Sequence, residues 1–288
     1  MKKYLILFSF AFAFGNAQNQ RFSYVYQFVP DSTNQADIKS EMMILEVLPK
    51  FSKFYSEDVF KSDSIMNAYM EKELRTTGSI NIKSDMRKGT FRHVVIKETP
   101  NYNTFLFTRI GQTELKVSDG RKMIWNIQSE KQIFGEFNTQ KATTEFAGRK
   151  WTAWFTTEIP IQDGPYKFHG LPGLIVKLED QTKSHVFELK GVKNLTATEI
   201  KNMDPNKNFI FNFREHLEMD QLKFKKFFLD NRNDPNKSIR ISMNQSETKM
   251  FDKDGKPIET SQFLRDREKQ QKEKLAKDNN FIELDLLK

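Results

Sequence analysis

The chain has 288 residues, 13% of them aromatic, no cysteine, and a formal charge of +8. The missing cysteine excludes disulfides, a lipid-modified cysteine anchor, thiolate metal sites and thiol nucleophiles together. The length suffices for one large domain or two small ones, held by core and sheet alone.

The N-terminus carries Lys2 and Lys3, an apolar run over residues 4–14, and Gly15-Asn16-Ala17 with small residues at the positions a signal peptidase reads. That run is too short to span a bilayer, and no later window is apolar enough to do so. The reading is a signal peptide over 1–17, cut after Ala17, and an exported mature protein in the periplasm, at the outer membrane or outside the cell. Loss of Lys2 and Lys3 leaves a formal charge of +6. Such a surplus suits anionic head groups or acidic partners, or is simply an alkaline solvated surface. Nothing resembles a nucleic-acid-binding motif, so nucleic acid is not an expected partner. The 27 phenylalanines point to a thick sheet core or a lined cavity.

Residues 21–29 alternate, with Phe22, Tyr24, Tyr26 and Phe28 on one face, as a half-buried strand requires. A second apolar run over 41–48 is closed by Pro49, and Phe51-Ser52-Lys53-Phe54-Tyr55-Ser56 follows. Ser62 or Asp63 can cap a helix whose apolar stripe is Ile65, Met66, Tyr69, Met70 and Leu74, ending at Gly78. Hairpins come next, over 80–85 with 90–98, then 104–110, and 114–118 with 121–127. Asp119-Gly120, between the last two, is the strongest hairpin signal in the chain. Strands over 132–137 and 139–146 lead to a turn at Ala147-Gly148. Even spacing of short strands predicts an antiparallel meander.

In the stretch 151–180 two strand-like runs flank a loop with three glycines and three prolines. On a strand, Trp151, Ala153 and Phe155 face one way and Trp154 the other. Asp163-Gly164-Pro165 sets a turn, with Pro165 pushing Gly164 out of the helical region. Leu171-Pro172-Gly173-Leu174 has the chemistry of a type II turn, which requires a positive φ at Gly173. Leu174, Val176 and Leu178 then share one strand face, and Ile175 takes the other. Tyr166 and Phe168 either fold back over Trp154 or gate an apolar groove.

Gly164-Pro165-Tyr166-Lys167-Phe168 followed by the intact run from Gly170 to Ile175 resembles the family named for its GLPGLI signature, found in Gram-negative envelope proteins. The resemblance continues through 135–155, touches 51–56 and covers roughly 18–192. Where that family often carries a cysteine, this chain has Asn138 or a neighbour, so no thiol role transfers. The family has no established activity, and the resemblance implies an envelope protein without naming a reaction.

Beyond Asp180, residues 183–192 form a partner strand after a Gln181-Thr182 turn, and 201–208 are polar. Asp220 can cap a helix over 221–230 that buries Leu222, Phe224, Phe227 and Phe228. Residues 261–278 read as a charged helix in which Glu268 and Lys272 pair. The expected organisation is a signal over 1–17, a β-rich unit over 18–192, and a less regular appendage over 193–288, packed on or extending from it. The expected fold is mainly β (α+β): a curved antiparallel meander sheet with a few flanking helices and a helical C-terminal appendage.

The only histidines are His93, His169, His185 and His216, none at helix-borne zinc spacing. There is no Gly-x-Ser-x-Gly elbow, and Gly170 and Gly173 enter a strand, so no helix N-terminus is offered to a phosphate. Neither a metal nor a cofactor is expected. The favoured expectation is a non-catalytic exported protein that binds an envelope partner or an apolar ligand through Trp154, Tyr166, Phe168 and His169. Gly164, Pro165, Gly170, Pro172 and Gly173 would frame that site. The alternative is a hydrolase or metal-dependent enzyme assembled from separate strands around His169, His185 and Asp163.

Overall fold

The computed structural model describes residues 19–79, 86–111, 113–202, 216–237, 239–240, 250–251 and 257–288. The expectations for 1–17, 80–85 and 203–208 lie outside them.

One meander runs through β1 (Gln20–Phe28), β2 (Lys39–Val47), β3 (Phe51–Ser56), β4 (Val94–Glu98), β5 (Asn103–Ile110) and β6 (Thr113–Asp119), each antiparallel to the next. A second runs through β7 (Asn126–Phe134), β8 (Phe137–Phe146), β9 (Arg149–Thr156), β10 (Leu174–Asp180) and β11 (His185–Asn194). The pairing of β1 with β11 joins the two meanders. A short β12 (Leu217–Asp220) adds to β6 in parallel, so the product is an open, mixed sheet of twelve strands. A two-stranded ribbon, β13 (Met250–Phe251) with β14 (Pro257–Ile258), lies outside it.

The sheet has to curl. Consecutive strands β6 and β7 stand ten places apart in it. At about 4.8 Å per strand a flat sheet would hold them about 48 Å apart. The link from Gly120 to Trp125 reaches only about 25 Å at full stretch. The curled sheet encloses one main core, from Leu115 and Val117 of β6 through Phe22, Tyr24 and Tyr26 of β1 to Trp151, Ala153 and Phe155 of β9. A smaller cluster of Ile44, Tyr55, Val94, Ile96 and Phe107 forms separately from it.

The same connection corrects the hairpin expected at Asp119-Gly120. Neither residue takes the positive φ that a tight hairpin turn needs. The Asp119 side chain instead accepts hydrogen bonds from Arg121 and Lys167, and the chain crosses to the far edge of the sheet. Ala147 and Gly148 do supply positive φ, 53° and 80°, and close the β8–β9 hairpin as expected. Gly135, also at positive φ, breaks the strand expected over 132–137 into the turn between β7 and β8.

Helix α1 (Glu57–Thr77) begins before the expected Ser62 or Asp63, because Ser56 at the end of β3 already caps the Val59 amide at 3.1 Å. Gly78 ends it in the left-handed region, as expected. Its buried face is Val59, Ser62, Asp63 and Met66, whereas Ile65 and Leu74 of the expected stripe are exposed. Asp63, buried on this face, contacts the half-exposed Arg92 at 3.4 Å. Helix α2 (Ala197–Asn202) is short. Helix α3 (Gln221–Asn233) is capped by Asp220 as expected; it buries Phe224, packs Phe227 and Phe228 partly, and leaves Leu222 82% exposed. Helix α4 (Thr260–Ala276) buries nothing and carries the Glu268–Lys272 pair at 2.6 Å.

Candidate functional site

The loop over 157–173, between β9 and β10, folds into the concave face and lends Ile161, Tyr166, Phe168 and Leu171 to the main core. Its turns must therefore find polar partners away from water. Two buried lysines supply them. Lys97 of β4, 0% exposed, donates to the Gly164 carbonyl at 2.7 Å and pairs with Asp163. Burial lowers its pKa, against the pull of Asp163. Lys167, within the loop and 1% exposed, pairs with Asp119 at 2.8 Å and with Glu283.

The expected type II turn does not form. Gly173 lacks a positive φ, and the Leu174 amide that would close such a turn donates to Ile159 instead. Glycine is required at 173 by crowding, since a Cβ there would lie 2.0 Å from the Thr156 carbonyl oxygen. The positive φ of this segment belongs to Gly170, at 91°. A bulge between Ile175 and Lys177 also alters the expected alternation, placing Leu174, Ile175 and Leu178 together in the main core.

The residues after α4 are stitched across the mouth of the bowl. Asn280 donates to the Val29 carbonyl at 2.8 Å, and Arg149 donates to the Phe281 carbonyl at 2.8 Å while pairing with Asp180 at 3.0 Å. Arg121 holds Glu283 at 2.6 Å and Asp285 at 3.0 Å. Glu283, 2% exposed, also accepts from Gln221 at 2.7 Å and from the Tyr166 hydroxyl. Burial would raise the Glu283 carboxyl, but the charges of Lys167 and Arg121 overcome it and hold the group below its ordinary range. Asp119 is likewise held down: burial opposes, and the Arg121 hydrogen bond and Lys167 charge win. Tyr166 sits at φ 54°, a left-handed conformation that costs roughly 1–2 kcal/mol in a residue with a Cβ. Its bond to Glu283 and full burial offset that strain.

Between bowl and tail lies a cavity of about 340 Å³. Tyr26 and Phe28 of β1, Phe91, Tyr166, Phe224 and Phe228 of α3, and Phe281 of the tail line it. Two histidines reach its wall. His93 shares a hydrogen bond with Thr108 at 2.8 Å, and His185 with the Tyr26 hydroxyl at 2.7 Å. Burial pushes His93 down to about 4, and burial reinforced by the Arg149 charge pushes His185 down to about 3. Both are neutral at pH 7.

Of the residues read from sequence as a binding set, Tyr166 alone lines this cavity. Phe168 is fully buried against Trp151 at 4.8 Å. Trp154 points the other way, as the strand alternation requires, and packs on Phe134 at 5.3 Å. Tyr166 and Phe168 therefore do not fold over Trp154. His169 stacks on Tyr102 at 4.8 Å. Gly164, Pro165, Gly170, Pro172 and Gly173 all lie in the loop; Pro172 and Gly170 are exposed and the others buried.

The constellation of His169, His185 and Asp163 is divided. Asp163 and His169 form a β-bridge near Lys97, while His185 keeps to Tyr26, Trp151 and Asp180. Among the described residues, no three His, Asp or Glu side chains converge as a metal would need. Sequence reasoning missed Lys97, Lys167, Arg121 and Glu283. The one available signal was a charge inside an apolar run: Lys97 after Val94-Val95-Ile96, and Glu283 between Ile282 and Leu284.

A family model described as a protein of unknown function (Porph_ging) matches residues 123–177, from the link before β7 to the middle of β10. No curated protein matches the chain. The chain is similar to PNGF-II, solved in two crystal forms. One aligns with a TM-score of 0.51 at 18% identity, over 75% of this chain and 34% of that one. The other gives 0.49 at 19% identity, over 74% and 33%. The chain thus spans about a third of the length of those solved chains, and at such identity the likeness is one of fold: a mostly β architecture.

Proposed function

We propose that this is an exported, non-catalytic envelope protein that holds an apolar ligand in the aromatic cavity. The described residues of its β-rich part over 18–192 furnish the bowl, and α3 with residues 278–286 of the 193–288 appendage furnishes the cover. Its place in the GLPGLI-signature family belongs to the same proposal, and rests on the loop sequence of 164–175 and its overlap with the matched 123–177. The observation that carries the reading is the cavity itself. Its volume of about 340 Å³ falls within the range of roughly 300–1,000 Å³ usual for small-molecule sites. Its walls are aromatic, and the polar groups at the walls bind one another: His185 with Tyr26, Tyr166 with Glu283, His93 with Thr108. Groups so engaged orient and seal a pocket.

The test is titration of the neutral fluorophore N-phenylnaphthylamine into the mature protein. Saturable one-to-one binding is expected. Ile110→Phe, which fills the cavity wall, should weaken it about tenfold, or about 1.4 kcal/mol, without lowering the melting temperature. Absence of saturable binding, or binding indifferent to the filling substitution, would sink the proposal.

A further inference from the structure

The aromatic cavity does not end in an apolar wall. His93, Thr108 and Arg109 line it on one side and on the other line a second pocket of about 360 Å³. That neighbour is basic, bringing together Arg87, Arg92 and Arg109 against the single carboxylate Asp63, with Met66 and Met70 of α1 also on its wall. The Arg92–Asp63 contact is long, 3.4 Å, where a charge-assisted hydrogen bond is about 2.7–2.9 Å. Arg92 also donates to the Lys88 carbonyl, and a guanidinium has five donors in a planar fork. Arg109 pairs with Glu114 across the β5–β6 ladder. Among the described residues no ion pair involves Arg87, which is exposed. Positive charge thus gathers at one end of an apolar chamber, and a fork of this kind suits a carboxylate or phosphate oxygen pair.

We propose that the two pockets form one site for a single-chain amphiphile, its tail among Tyr26, Phe91 and Phe228 and its anionic head on Arg87 and Arg92. This rests on the apolar-ligand reading above and adds the head group. The protein's basic balance points the same way, since an anionic amphiphile is drawn to a positive field. Carboxylate and phosphate monoester heads share the required chemistry, and the assay separates them.

The experiment measures binding of decanoate, decyl phosphate and decanol to the mature protein by calorimetry, and their displacement of N-phenylnaphthylamine. At least one anion should bind about tenfold or more tightly than decanol and displace the fluorophore; the tighter anion names the head. Arg87→Gln with Arg92→Gln should erase that preference and leave decanol binding unchanged; Arg87 is exposed, and Asp63→Asn in the same protein removes the buried carboxylate that Arg92 would otherwise leave unpaired. Equal binding of decanol and the anions, or a preference that survives these substitutions, overturns the head-group assignment and leaves the apolar cavity standing. Anion binding that fails to displace the fluorophore overturns the single site. If neither the fluorophore nor decanol binds, the cavity reading fails as well.

Discussion

Gly173 stands so close to Thr156 that a Cβ at 173 would lie 2.0 Å from the Thr156 carbonyl oxygen and 2.7 Å from its carbon. Both are backbone atoms of the strand end that β10 pairs with, so neither can step aside. Gly173→Ala should therefore cost about 3 kcal/mol or more, at the upper end of overpacking. Gly170→Ala meets nothing within 4 Å and should cost only the roughly 1–2 kcal/mol of a left-handed alanine. Chemical denaturation of the two variants checks the order. A Gly173→Ala protein as stable as Gly170→Ala would show that the strand end yields.

The Glu283 carboxylate joins tail, loop and the β6–β7 link through Tyr166, Lys167 and Arg121. Removing one member of a buried ion pair costs about 3–5 kcal/mol, because the remaining charge is left uncompensated. Glu283→Gln should fall in that range. Tyr166→Phe, which deletes one hydrogen bond to a charged group, should lose about 2 kcal/mol. Limited proteolysis should cut residues 277–288 of Glu283→Gln before any strand. Unchanged stability, or a tail as resistant as before, would show that the latch lies elsewhere.

Stability should fall as pH drops below about 6.5. The unfolded chain takes up protons on His93 and His185 near that pH, whereas the folded protein resists until about 4 and about 3. Between those values the unfolded state binds more protons, so stability rises with pH, by at most about 1.4 kcal/mol per pH unit for each histidine. His93 is partly exposed, so its share is the smaller. Below about pH 4, Asp119 and Glu283 add to the loss, since both are held beneath their ordinary values and their stabilisation vanishes as they protonate. Denaturation midpoints from pH 7 to 4 check this. His185→Gln should flatten the slope; a slope unaltered by that change would contradict the assignment.

The proposed export predicts that native material begins at or near Gln18, cut after Gly15-Asn16-Ala17. Mass spectrometry of the N-terminal peptide from envelope fractions measures it, with or without cyclisation of Gln18 to pyroglutamate, and a chain starting at Met1 would refute it.

Local pattern made several elements legible. The alternation of Phe22, Tyr24 and Tyr26 marks β1, the turn at Ala147-Gly148 closes β8 onto β9, Gly78 ends α1, and Asp220 starts α3. Each follows from neighbours within a few residues, and mainly β architecture follows from their sum. The burial of α3 was less legible, because which side of an amphipathic helix is covered depends on what arrives against it; Leu222 is exposed and Phe224 is not.

Local pattern suffices for most strands of the two meanders, for the turn at Ala147-Gly148 and for the absence of thiol chemistry; it splits β7 between two runs and misses β12. Tertiary structure decided why residue 173 is a glycine and where the cavity lies. Asp119-Gly120 has the local chemistry of a hairpin, yet Lys167, 48 positions later, and Arg121 take the Asp119 carboxylate, and the chain crosses the bowl instead. Gly173 is dictated by Thr156, a contact that arises only once β9 and β10 pair. The cavity needs β1, the loop, α3 and the tail at once, drawn from residues 26 to 286. Short-range preferences amount to about 1 kcal/mol per residue, while a buried charge without its partner costs several. Where the two conflict, as at Asp119, the distant partner wins.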